Sequence, residues 1–195
     1  MTTYRTDIMN MHFTDGNLII LYAIHASISK DGSLPDYINE RINVCINTFR
    51  IIMQSKPDNH KTMIIIVANT MYAESIKDKL IKAGIDDKII AIDRISENVA
   101  QAFDNILNVI KTKINPPHIY FVGSVWLRDI CEATAISKLN GYRIQFEGAL
   151  DNRPVEEVEK EKVLDIPKKG IEHYKRKAKD KAIDMMLNYI FREGK

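Results

Sequence analysis

A chain of 195 residues with 45% hydrophobic content is long enough for one α/β domain with a sizeable core. Its net charge of +2 supplies no global basic field to draw it to nucleic acid. Two cysteines, Cys45 and Cys131, stand far apart in apolar surroundings, which argues for buried free thiols over a disulfide framework or a zinc motif. The N-terminal stretch "MTTYRTDIMNMHFTDG" has no apolar core of a signal sequence, and no segment approaches the roughly 20 apolar residues of a membrane span. The expectation is a soluble cytoplasmic protein with no membrane or nucleic-acid partner.

"NLIILYAI" (17–24) is a short, continuously apolar run, as in a strand covered on both faces. "LPDYINERINVCINTFRIIMQS" places Ile38, Ile42, Cys45, Ile46, Phe49 and Met53 at helical spacing, with Ser33 suited to cap it and Pro35 to its first turn. "TMIIIVAN" reads as a second buried strand, and "YAESIKDKLIKAG" as an amphipathic helix closed by Gly84. "KIIAID" is a third, briefer strand. "SENVAQAFDNILNVIKTKI" is a helix with Ser96 as N-cap, stopped by Pro116 and Pro117. "HIYFVGS", "WLRDICEATAISKLNG" and "YRIQFEGA" continue as strand, helix and fifth strand. This alternation predicts a three-layer α/β/α fold, with a mostly parallel five-stranded sheet, helices on both faces and right-handed crossovers.

The rest of the chain changes character. Residues 1–150 form the expected core, and 151–195 a charged helical extension packing on the same domain. From Gly170, the residues Ile171, Tyr174, Ala178, Ala182, Met185, Met186, Tyr189 and Ile190 make one apolar stripe of a terminal helix. Its lysines and Arg176 read as a solvated face, balanced by the upstream "EEVEKEK".

In an open parallel sheet, ligands bind beyond the C-terminal ends of the strands, where the following helices point their N-termini. That edge should collect His25 and Ser27, then Asn69, then Asp93, then Gly123 and Ser124. Arg41, one to two turns into the first helix, could grip a phosphate or carboxylate. It could equally pair with Asp36, Glu40 or Asp93. Asp31-Gly32 is a turn dipeptide. Glu74 opens the second helix, where an acid favours the dipole. Asp93 could take ribose hydroxyls or cap the next helix. His25, the only histidine at a strand exit, is the best acid–base candidate, with Glu74 as second. Trp126 reads as helix packing. There is no G-x-G-x-x-G, Walker loop, G-x-S-x-G or H-E-x-x-H, and no His–Asp pair can be placed with a Ser124 nucleophile.

The series Asp31-Gly32, Arg41-Ile42, Glu74, Leu80, Gly84-Ile85 before "KIIAID", Asp93 with Ser96 and Asn98, and Val122-Gly123-Ser124 resembles the YdcF/SanA/ElyC-like proteins, a Rossmann-like group of largely unknown function. In order and spacing it covers residues 17–190. The resemblance implies a nucleotide-like ligand, with S-adenosylmethionine the one suggested. It places Asp31, Arg41, Glu74, Asp93, Ser96, Asn98 and Ser124 around the site, and the strand-edge reading adds Ser27, Asn69 and Gly123. The chain departs from the pattern where His25 and Ser27 replace glycines, where "ANT" replaces a small Ser-Gly-Gly, and at Val99, Gln101 and Ala102. The His and Arg expected after the fourth strand are missing from "SVWLRDICEA", where Arg128 is out of register. Members with envelope roles carry a membrane segment, so no envelope role is carried over.

The leading expectation is therefore a binding protein or enzyme for a small anionic, nucleotide-like molecule at the strand edge. A non-catalytic assembly module with a degenerate site, self-associating through the tail, is the alternative. A hydrolase or transferase on a phosphorylated substrate is a third.

Overall fold

The computed structural model describes residues 16–24, 33–55, 61–113, 118–139 and 141–165. Five strands, β1 (Gly16–Tyr22), β2 (Lys61–Val67), β3 (Ile90–Asp93), β4 (His118–Ser124) and β5 (Arg143–Ala149), alternate with helices. The helices are α1 (Asp36–Ser55), α2 (Thr70–Lys82), α3 (Val99–Lys113), α4 (Arg128–Lys138) and α5 (Val155–Asp165). All strand pairs are parallel, in the spatial order β3-β2-β1-β4-β5. The continuous apolar runs are thus explained, because a parallel sheet is covered on both faces. Alternation within β1 sends Leu18, Ile20 and Tyr22 to one face, packed with Val99, Phe103 and Ile106 of α3 and Cys131 of α4. Ile19 and Leu21 go to the other face, with Ile38, Ile42 and Cys45 of α1 and Ile76 and Leu80 of α2. The two cores make the three layers. In the first of them Tyr22, Phe103 and Phe146 each pack a ring against Phe121.

Cys45 and Cys131 are both buried free thiols, and burial alone pushes Cys45 up to about 12. Gly84 ends α2 with φ +91°: its N–H bonds the Ile81 carbonyl and Ile85 N–H bonds that of Leu80. That is the two-bond stop an α-helix makes through a left-handed residue. Gly123 and Gly148 sit side by side on β4 and β5. A Cβ at Gly123 would come within 3.1 Å of Leu127, and one at Gly148 within 3.1 Å of Val125. Both glycines leave room for the 3-10 turn Val125–Leu127 that folds back onto the sheet.

Several boundaries shift. α1 begins at Asp36, with the Pro35 carbonyl accepting from Ile38 and Asn39. α3 begins at Val99, because Asn98 and not Ser96 caps it: Asn98 Oδ1 accepts from Gln101 N. A 3-10 turn, Asp87–Ile89, takes the start of the expected third strand, and the Val125–Leu127 turn takes the start of the fourth helix. Pro116, Pro117 and the stripe from Gly170 onward lie outside the described residues. Among the described residues no helix is long and apolar enough to cross a membrane.

Replacing Gly84 with alanine forces a Cβ into the left-handed region and should cost about 1–2 kcal/mol. A urea titration should show a lowered midpoint with an unchanged slope. An unchanged midpoint would mean the turn relaxes to another geometry.

Candidate functional site

The strand order reverses between β1 and β4, so the crevice beyond their C-terminal ends is where an open sheet takes a ligand. α1 packs across β1, β4 and β5, and this placement brings Arg41 from its second turn to that reversal point. Arg41 is fully buried. Its Nε donates to Ser124 Oγ at 2.9 Å and its Nη1 to the Tyr22 carbonyl at 3.1 Å. A guanidinium cannot shed its charge, so burial demands anions. They come from the far end of the chain. Glu161 Oε1 lies 3.5 Å and Asp151 Oδ2 3.8 Å from Arg41 Nη2.

Asp151 is the centre of the network. Ser124 Oγ (2.8 Å) and Trp126 Nε1 (2.9 Å) donate to Oδ2. Arg153 grips both oxygens, Nε to Oδ1 at 2.8 Å and Nη2 to Oδ2 at 2.7 Å. Burial works against the Asp151 charge, but the bonds from Arg153, Trp126 and Ser124 outweigh it and hold the carboxyl well below the usual carboxylate range. Burial likewise opposes the Arg153 charge, yet Asp151 and Glu161 keep it above the ordinary guanidinium value. The Arg153 guanidinium also lies over the Tyr37 ring, 3.6 Å from its centroid. Glu161 Oε2 pairs with Arg153 Nη2 at 2.5 Å, but without a well-directed hydrogen bond.

A second buried contact adjoins the first. Tyr22 donates its hydroxyl to Asp165 Oδ1, and Val99 N, in the first turn of α3, donates to the same oxygen at 3.3 Å. Burial and then the Asp165 carboxylate raise the Tyr22 hydroxyl well above its ordinary value. The network borders a cleft of about 710 Å³ between the starts of α1 and α5, whose lining includes Pro35, Tyr37, Asn39, Leu150, Arg153 and Glu157.

Of the expected site residues, Arg41 and Ser124 meet here. Arg41 pairs with Asp151 and Glu161 rather than with Asp36, Glu40 or Asp93, because α1 turns it toward the β4–β5 side. Asp93 is buried at the exit of β3 and is already occupied. Its two oxygens accept from Ile95 N, Ser96 N, Ser96 Oγ and Asn105 Nδ2, at 2.5–3.2 Å. These fill the acceptor capacity of a carboxylate, so Asp93 and Ser96 hold the turn into α3. The Asn98 side chain caps that helix. Gly123 is held by packing against Leu127. Asn69 is exposed at the start of α2, and Glu74 is an exposed acid paired with Arg94 on the rim. His25, Ser27 and Asp31 lie outside the described residues.

Tyr22, Tyr37, Asp151, Arg153, Glu161 and Asp165 were not expected. The strand-exit rule, carried on to the fifth strand, would have reached "LDNR" and found Asp151 and Arg153. Trp126, expected to pack, also donates to Asp151. Ser124 is fully buried between Arg41 and Asp151, which leaves its oxygen no free approach as a nucleophile. Among the described residues no group of three or more His, Cys, Asp or Glu has the arrangement to hold a metal ion. Compared with family models, curated proteins and solved structures, the chain matches none.

Arg41→Met should destabilise the protein by about 3–5 kcal/mol, the cost of leaving buried carboxylates without their cation. Adding Glu161→Leu should recover most of that loss, since Asp151 keeps Arg153, Trp126 and Ser124. Additive losses in urea unfolding would show that Arg41 and Glu161 do not act as a pair. The Asp151 carboxyl, lowered in the fold, contributes in full above its unfolded value of about 3.9. That contribution is lost as pH falls through the folded value. Asp151→Asn should therefore flatten the acid limb of stability below about pH 4; an unaltered limb would place acid sensitivity elsewhere.

Proposed function

We propose that this protein binds a small anionic molecule at the crevice between β1 and β4, with Arg41 as the principal anchor. The observation that carries the reading is the placement of Arg41. A helix-borne guanidinium, fixed by Ser124 and the Tyr22 carbonyl, stands fully buried at the reversal point of a parallel sheet. Few positions in this fold suit an anion better. Arg153, whose guanidinium is held by Asp151 and Glu161, lines the neighbouring cleft. The ligand is nucleotide-like in the resemblance noted above, S-adenosylmethionine included. Asp93 is spent on its own turn, so the selectivity for a ribose assigned to it is not part of the proposal. The cluster offers anchorage and no free acid–base pair, so binding is the activity proposed and the reaction is left open. A cytoplasmic setting fits its two free thiols.

A second reading is favoured by one specific feature. Both anions near Arg41 belong to the chain itself. In that reading the crevice is a filled, structural keystone, and the protein is an interaction or assembly module.

A thermal-shift panel separates the two. A ligand at about 100 times its Kd adds about 2.7 kcal/mol, which for a domain of this size raises Tm by about 5–10 °C. S-adenosylmethionine, S-adenosylhomocysteine, nucleotides and sugar phosphates form the panel. A hit that Arg41→Lys weakens at least tenfold supports the site, because lysine keeps the charge and loses the fork. A flat panel from folded protein, or a hit indifferent to Arg41→Lys, favours the keystone reading.

A further inference from the structure

α5 is an unusual helix. Of its eleven residues only Val158, Glu161 and Asp165 are buried, so two of three inward side chains are acids. Val155, Val163 and Leu164 are 69%, 53% and 56% exposed. An ordinary surface helix does the opposite, turning its apolar side chains to the core. Hydrophobic burial therefore does little to hold α5 in place, and two carboxylates do most of it.

Each carboxylate sits where a fold of this kind takes an anion. Glu161 lies against the Arg41 and Arg153 guanidinium groups. Asp165 accepts from the first turn of α3 and from the Tyr22 hydroxyl. The two acids are spaced i, i+4, which puts their Cβ atoms about 5–6 Å apart on one face. Glu161 makes one close ion pair, Oε2 to Arg153 Nη2 at 2.5 Å, and one long one, Oε1 to Arg41 Nη2 at 3.5 Å, and its Oε2 has no well-directed hydrogen bond. By contrast, Asp151 is gripped by four donor groups at 2.7–2.9 Å. Asp151 belongs to the fixed frame, and Glu161 occupies a place.

We propose that α5 is a built-in competitor for its own site: Glu161 and Asp165 hold the positions of a ligand with two anionic groups about one helical turn apart. This rests on the anion-site reading above and names its ligand class, a bis-anion such as a dicarboxylate with three or four methylenes between its carboxylates. Binding requires α5 to lift, because Arg41 is fully buried beneath Glu161. The start of α5, at Pro154 and Glu157, already borders the 710 Å³ cleft, so lifting joins that cleft to the crevice. The ligand's apparent affinity is then its intrinsic affinity scaled by the fraction of molecules with α5 undocked.

The test uses the full chain. Calorimetry measures binding of glutarate and adipate, with acetate and butyrate as single-anion controls, to the wild type and to Glu161→Gln/Asp165→Asn. Hydrogen exchange follows the amides of 155–165. The bis-anions should bind the wild type weakly, more tightly than the controls, and accelerate exchange across α5. The double variant should bind them at least tenfold more tightly. If that variant is not folded by circular dichroism, Glu161→Gln alone decides, with a gain of at least threefold. Equal affinity in wild type and variant, unchanged protection of α5 on binding, or no preference for two anions over one overturns the competitor while leaving the anion site standing. No binding of any probe to either folded protein overturns both.

Discussion

A buried guanidinium organises the C-terminal edge of this protein. Once α1 carries Arg41 to the crevice between β1 and β4, its charge has to be met there, and the neighbouring chain is arranged around that need. Ser124 ends β4 facing it, the last carbonyl of β1 accepts from it, and the β5 exit delivers Asp151. Asp151 brings its own cation, Arg153, and Arg153 in turn lies on Tyr37 one turn before Arg41 on the same helix. The network thus closes on α1, where it began. Two guanidinium groups and two carboxylates, Asp151 and Glu161, balance in charge, which is the condition under which so much charge can leave water.

The apolar architecture was legible from pattern alone. Continuous runs such as "MIIIV" and the helical spacing of Ile38, Ile42 and Cys45 carry the physics that builds the sheet and its covers, so the parallel α/β arrangement follows from them. Gly84 was legible for the same reason, since a left-handed helix stop leaves few choices of residue. Arg41 and Ser124 stood among ten candidate residues at that edge, and the structure brings these two into contact. What pattern could not supply was partnership. Asp151, Glu161 and Asp165 are 110 or more positions from Arg41 or Tyr22 in sequence, and no local period links them. α5 was the hardest case. Its buried face is acidic, so it reads as a charged surface segment, and only the location of the opposing cations reveals which face goes inward.

Asp93 and Arg41 show how one edge position can be spent and another kept. Both are polar, buried and at the end of the sheet. Asp93 is satisfied entirely by groups within twelve residues of itself, so its acceptors are consumed in shaping the β3–α3 turn. Arg41 is satisfied by groups from four separate segments: β1, the end of β4, the β5 exit and α5. Local satisfaction is cheap to keep and hard to exchange. Satisfaction assembled from distant segments is conditional on each of them staying in place.

That difference bears on which contact yields first. The contributions from β1 and β4 lie in the interior of the sheet and cannot leave without unfolding it. Asp151 is pinned by Arg153, Trp126 and Ser124 together. Glu161 hangs on a helix with three buried residues and a mostly charged outer face, so little apolar burial backs its attachment. A fold that needed Glu161 only as a counter-ion could have set it on the frame, as it did Asp151. Its position on α5 ties the most deeply buried cation among the described residues to a helix that buries only three side chains.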